Sequence, residues 1–144
     1  MAYPKKKHTN SYKSGLEVTA AKALADLGIT DCYEKFKIEW KDLAYRKYTP
    51  DFILPNGVII ETKGLFTASD RRKHLEIKAQ HPTLDIRFVF SRSAAKLSKK
   101  SKTTYAKWCD KHGFIYADKD IPWEWHKGKD KPQPNALIAV EHTS

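Results

Sequence analysis

Asp51, Glu61 and Lys63 stand within one short stretch, Tyr48–Gly64, YTPDFILPNGVIIETKG. Pro55-Asn56-Gly57 is a turn with a mechanism: proline presets φ for the first position, and glycine takes the left-handed φ that a bulged three-residue loop needs. It separates two apolar runs, Phe52-Ile53-Leu54 and the β-branched Val58-Ile59-Ile60. Across such a loop Leu54 faces Val58 and Ile53 faces Ile59, so counting outward sets Asp51 opposite Glu61. Period two puts Glu61 and Lys63 on one face and turns Thr62 away. Two acids and a lysine are too polar to face a core for packing reasons. Facing carboxylates suit hard divalent cations, which can activate water, neutralise a phosphoryl centre and stabilise a leaving oxygen. Glu17 is a candidate third carboxylate, with Asp51 bridging. Lys63 is placed to orient or deprotonate the attacking water and to stabilise developing charge.

The elements that must position this group follow from patterning. Ser14 and Glu17 fit a capping box that opens a helix with Leu16, Ala20, Ala23, Leu24 and Leu27 on one face and Gly28 just past its end. Residues 33–40 alternate, with Phe36, Ile38 and Trp40 on one side, as in a half-buried strand. Residues 41–47 read as a loop or irregular continuation. Thr67-Ala68-Ser69-Asp70 offers N-caps for a surface helix over roughly 70–80 with a basic side, and His81-Pro82 ends it. Asp85–Ser91 is a strand, so 58–91 forms a βαβ unit whose strands are parallel and whose crossover is right-handed. A helix over 103–112 ends at Gly113, Phe114–Ala117 is a last short strand, and the aromatic segment 121–125 closes the core. The class is α/β.

The chain has 144 residues and a net charge of +10, from 27 basic and 17 acidic side chains. This length suits one domain, and the charge favours a polyanionic partner, nucleic acid first. The cations are clustered. Lys5, Lys6, Lys7 and Lys13 lie in an acid-free arm over 1–13, Arg71, Arg72, Lys73 and His74 crowd one helix, and Arg92, Lys96, Lys99, Lys100 and Lys102 occupy a loop without an acid. All are candidate phosphate contacts. Cys32 and Cys109 lack zinc spacing and read as free buried thiols. No run is long and apolar enough for a membrane helix, and no secretory signal is legible, so the expected compartment is cytoplasmic. From about Gly128 the sequence is unpatterned, as in a poorly ordered tail.

Pro50-Asp51 followed by Glu61-Thr62-Lys63 resembles the PD-(D/E)XK nuclease signature. A broader likeness runs through Ser14-Gly15-Leu16-Glu17, Tyr48-Thr49-Pro50-Asp51-Phe52, Leu54-Pro55-Asn56-Gly57 and Glu61-Thr62-Lys63-Gly64-Leu65. It continues through Asp70-Arg71, Lys73-His74-Leu75, Leu84-Asp85-Ile86-Arg87, Lys111-His112-Gly113, Ala117-Asp118-Lys119, Ile121-Pro122 and Glu124-Trp125. Over about 14–126 the chain resembles the bacteriophage endonuclease I family of junction-resolving enzymes. The resemblance implies a restriction-endonuclease-like mixed β-sheet flanked by helices over 14–127. It implies catalysis by Glu17, Asp51, Glu61 and Lys63, and Mg²⁺ (or Mn²⁺) held by Glu17, Asp51, Glu61 and the Thr62 carbonyl. It further implies an intertwined, domain-swapped homodimer that cuts four-way (Holliday) and other branched DNA in pairs. Glu17 would come from one chain and the other three residues from its partner, with 35–48 as the bridge. The rival reading is a basic DNA-binding module that keeps the fold and does not cut. The intact acid–lysine set favours the enzyme.

Overall fold

The computed structural model describes residues 14–41, 45–131 and 137–139. Ser14 caps α1 (Gly15–Asp26), its Oγ accepting from Glu17 N at 3.1 Å. β1 (Phe36–Lys41) and β2 (Tyr45–Tyr48) pair antiparallel, Ile38 against Tyr48 and Trp40 against Arg46. The expected loop over 41–47 is thus corrected at 45–47. Tyr-Arg-Lys-Tyr lacks apolar alternation, and β1 supplies the ladder that local pattern does not reveal.

β3 (Phe52–Ile53) and β4 (Val58–Lys63) form the expected hairpin, with Ile53 opposite Ile59 and Phe52 opposite Ile60. Gly57 takes φ +90°, and the Leu54 and Val58 backbones close the loop at 2.8 Å. α2 (Ala68–Gln80) follows, opened by a full capping box between Thr67 and Asp70. β5 (Asp85–Phe90) then lies parallel to β4, completing the βαβ unit. α3 (Tyr105–His112) stops at Gly113, whose φ of +76° is left-handed, and β6 (Ile115–Asp118) adds parallel to β5. A 3₁₀ turn, Trp123–His126, ends the closing segment. β7 (Leu137–Ala139) pairs antiparallel with Phe36–Ile38 of β1, which corrects the expectation of a patternless tail at these three residues. The four-stranded sheet is ordered β3-β4-β5-β6 and the three-stranded sheet β2-β1-β7.

Period two along the central strands sorts their side chains into two cores. Ile53, Ile59, Ile86, Phe88 and Phe90 join Ile38, Trp40, Ile77 and Trp108, under α2, α3 and the smaller sheet. Phe52, Ile60 and Val89 join Ala20 and Leu24 of α1, with Ile121 and Trp125 of the closing segment. That segment does cover core, as expected, although Trp123 itself is exposed. The Asn56 amide donates to the Trp125 and Lys127 carbonyls at 2.8 Å each, so the hairpin turn and the closing segment brace one another.

Phe66, just after β4, centres the first core. Its ring lies 5.0–5.6 Å from those of Phe88, Phe90, Tyr105 and Trp108. Phe66→Ala is expected to destabilise the protein by about 3–5 kcal/mol, because four aromatic partners cannot collapse into the space left behind. Urea unfolding followed by circular dichroism measures this, and a loss below about 1 kcal/mol would show that the site relaxes. Cys32 and Cys109 are both buried and free, as expected. Among the described residues no helix is long and apolar enough to cross a membrane.

Candidate active site

The C-terminal half of β4 carries the candidate acid–lysine pair. Glu61 and Lys63 emerge on the face of Ile59, and the Lys63 ammonium lies 3.6 Å from Glu61 Oε1. It also lies 3.4 Å from Asp70 Oδ1, so the N-terminal turn of α2 holds the lysine from its other side. Burial opposes ionisation of Asp70, but Lys63 and the capping bonds outweigh it and lower the Asp70 pKa. The second oxygen of Glu61 accepts from the Tyr48 hydroxyl at 2.6 Å. Burial raises the Glu61 pKa against the opposing pull of Lys63 and of that hydroxyl.

Asp51 departs from the simple hairpin count. Strand pairing ends at Phe52, so its side chain is not bound to the alternation. Its Oδ2 accepts from Thr62 N at 2.8 Å and from Thr62 Oγ1 at 2.7 Å. Thr62 therefore does not simply point away: its hydroxyl and amide anchor the aspartate. The Asp51 pKa is pushed up to about 8, first by burial and then by the Glu61 charge, with the Thr62 bonds opposing.

α1 brings the third acid. Glu17 is buried, and its carboxylate accepts from the Tyr33 hydroxyl at 2.7 Å. The Ser14 half of the expected capping box is present, while the Glu17 carboxylate meets Tyr33. One carboxylate oxygen each from Glu17, Glu34 and Asp51 lie within 4.8 Å of one another. Glu17 and Asp51 thus meet within a single chain. Clustered, mostly buried carboxylates, one of them reluctant to ionise alone, fit a hard divalent cation. Glu61 lies outside this close triplet and is coupled to it through Asp51.

Glu34 was missed from sequence. It has the parity of Phe36, Ile38 and Trp40, and an acid in phase with an apolar face was the available signal. Its φ of 44° and its amide bond to the Asp51 carbonyl, at 2.8 Å, turn it from the strand toward the site. Tyr33, Tyr48 and Asp70 were missed too, because each acts through a partner distant in sequence or already assigned to capping.

The cationic candidates divide. Arg92, Lys96, Lys99, Lys100 and Lys102 are exposed on the loop before α3, and Arg72 is exposed on α2. Arg71 is half-buried and donates to the Phe66 carbonyl at 2.6 Å. Lys73 lies over the Tyr48 ring at 5.1 Å. His74 is corrected: it is fully buried, edge-on to Tyr48 and Phe88, and not a surface phosphate contact. Burial, then Lys73 and Lys63, hold its pKa well below the usual histidine range. A neutral ring can pack as an aromatic where a charged one would have to be desolvated. Lys5, Lys6, Lys7 and Lys13 lie outside the described residues.

Buried carboxylates at the end of a mixed sheet, a lysine beside one of them and a strongly basic chain define a protein of the nuclease class. The chain belongs to the Phage endonuclease I family, which it matches over residues 1–143. It is 50% identical over 125 residues to Endonuclease I of Escherichia phage T7, covering 86% of this chain and 84% of the relative. It is likewise 50% identical over 125 residues to Endodeoxyribonuclease 1 of Enterobacteria phage T3, covering 86% and 82%.

Proposed function

We propose that this protein is a divalent-metal-dependent, structure-selective DNA endonuclease that cuts four-way junctions and related branched DNA. The observation that carries the reading is the close group of Glu17, Asp51 and Glu34 beside the Glu61–Lys63 pair. Glu17, Asp51, Glu61 and the Thr62 carbonyl would hold Mg²⁺ or Mn²⁺, with Glu34 within reach of the same ion. The bound cation supplies Lewis acidity toward the phosphoryl oxygens and lowers the pKa of the attacking water.

The chain's own groups do the rest. Thr62 fixes one oxygen of Asp51, and Lys63, steadied by Asp70, faces the charge that develops at phosphorus. The exposed cations of the 92–102 loop and Arg72 track phosphates and carry no base information, so selection is by the shape of the DNA. The central strands and flanking helices suit a restriction-endonuclease-like fold. Paired cuts call for a two-fold homodimer. Within 35–48, Phe36–Lys41 and Tyr45–Tyr48 pair here as β1 and β2; in a swapped dimer this connection would open out and carry Glu17 to the Asp51, Glu61 and Lys63 of a second chain.

A synthetic four-way junction tests the reading. Cleavage is expected in both arms of a symmetric pair with Mg²⁺ and is expected to vanish in EDTA. Metal-independent cutting, or equal cutting of junction and linear duplex, would reject it.

A further inference from the structure

Glu61 has three rotatable side-chain bonds, yet it has to present a carboxylate oxygen in one direction. Tyr48 lies against it from a different sheet: it is the last residue of β2 and pairs with Ile38 of β1. The residue is 3% exposed, and its ring meets His74 edge-on at 5.1 Å between centroids, while the Lys73 ammonium sits 5.1 Å from its own centroid. A ring confined in this way cannot swing. Its hydroxyl is 2.6 Å from Glu61 Oε2, whereas Oε1 is the oxygen 3.6 Å from Lys63.

We propose that Tyr48 is a positioning residue for Glu61: its hydroxyl pins one carboxylate oxygen and leaves the other for Lys63 and the divalent cation. The proposal rests on the metal-dependent nuclease reading. The same device recurs nearby, where the Tyr33 hydroxyl lies 2.7 Å from Glu17 Oε1. Hydrogen bonds that orient a ligating carboxylate pre-pay its ordering, and their loss typically costs about 10–100-fold in metal affinity or activity. Tyr48 also ties the small sheet to the reacting strand, so a displacement of β2 would reach Glu61 through one hydroxyl.

The test is Tyr48→Phe in the full chain, which keeps the ring and its packing. Calorimetric titration with Mn²⁺ in the absence of DNA is expected to show affinity reduced about 10-fold or more. Junction cleavage is expected to lose kcat by about the same factor, with KM for the junction unchanged. Ile59→Val, a core change on the same strand, is expected to keep wild-type Mn²⁺ affinity. Wild-type affinity and kcat in Tyr48→Phe would overturn the proposal, as would an equal loss of Mn²⁺ affinity in Ile59→Val. Failure of the wild-type chain itself to bind Mn²⁺ or cut would instead overturn the nuclease reading.

Discussion

Lys63→Ala and Glu61→Ala are each expected to lower the rate of junction cleavage by about 10³-fold while leaving junction affinity within about twofold. Lys63 is only 15% exposed and is held between Glu61 and Asp70, so it is aimed at the site rather than spread over phosphates. The exposed cations that would contact the backbone lie elsewhere, on the loop before α3 and on α2. Single-turnover cleavage and gel-shift titration in Ca²⁺ separate the two effects. Full activity in either variant would reject the assigned roles. Proportionate loss of binding would make Lys63 a DNA anchor. Chains carrying Glu17→Ala, assembled with chains carrying Lys63→Ala, decide how the sites are shared. A swapped heterodimer has one site with both defects and one intact site, so nicking at one arm should return. Sites complete within one chain, as Glu17 and Asp51 are arranged here, would give two defective sites and no recovery.

Asp51→Asn is expected to abolish cleavage and, without metal, to raise the stability of the fold above neutral pH. The folded Asp51 carboxyl has a pKa of about 8, against roughly 3.9 for an unfolded chain. An acid whose pKa is raised on folding binds its proton more tightly in the folded state. Its contribution to stability is therefore complete below about pH 4 and is lost as pH rises through about 8. In EDTA the wild-type melting temperature should fall across that window, and the fall should be smaller in Asp51→Asn. At pH 8 the variant should melt about 5 °C higher, corresponding to about 2 kcal/mol. Asparagine keeps a carbonyl oxygen for the Thr62 amide and hydroxyl, so the geometry survives the change. Saturating Mg²⁺, at about 100 times its dissociation constant, should stabilise wild type by about 2.7 kcal/mol and the variant far less. A wild-type melting temperature independent of pH from 5 to 8 in EDTA would contradict the burial and charge crowding that raise the Asp51 pKa. Scanning calorimetry at three pH values is sufficient.

Much of this arrangement is legible without coordinates because it is local. A proline–asparagine–glycine turn fixes a loop length, the loop length fixes register, and register puts Ile53 against Ile59. Alternation then places Glu61 and Lys63 on one face of β4, and the strand–helix–strand order makes β4 and β5 parallel. Capping chemistry is local as well, and Thr67 and Asp70 form the box their spacing predicts. The family resemblance, carried by short motifs in order, agrees with the match over residues 1–143.

What the tertiary structure alone decides lies where local pattern stops. Asp51 sits one residue beyond the paired strand, so its carboxylate turns to Thr62 instead of following period two. His74 stands among Arg71, Arg72 and Lys73, whose charges mask the buried side of α2; only Tyr48 and Phe88 across from it reveal an interior position. β2 and β7 have weak patterns of their own, and both acquire strand structure from the edges of β1. The site's Glu34 and Tyr33 come from a segment remote from β4 in sequence, and Tyr48, though nearer in the chain, reaches Glu61 from the other sheet. By itself, then, the sequence determined the acid–lysine strand, the turn that orders it and the polyanionic partner that its charge favours. Periodicity reports which side of its own element a residue occupies. Which element lies opposite is settled by long-range packing, and that packing decided where Asp51 turns, why His74 is neutral and which hydroxyl holds Glu61.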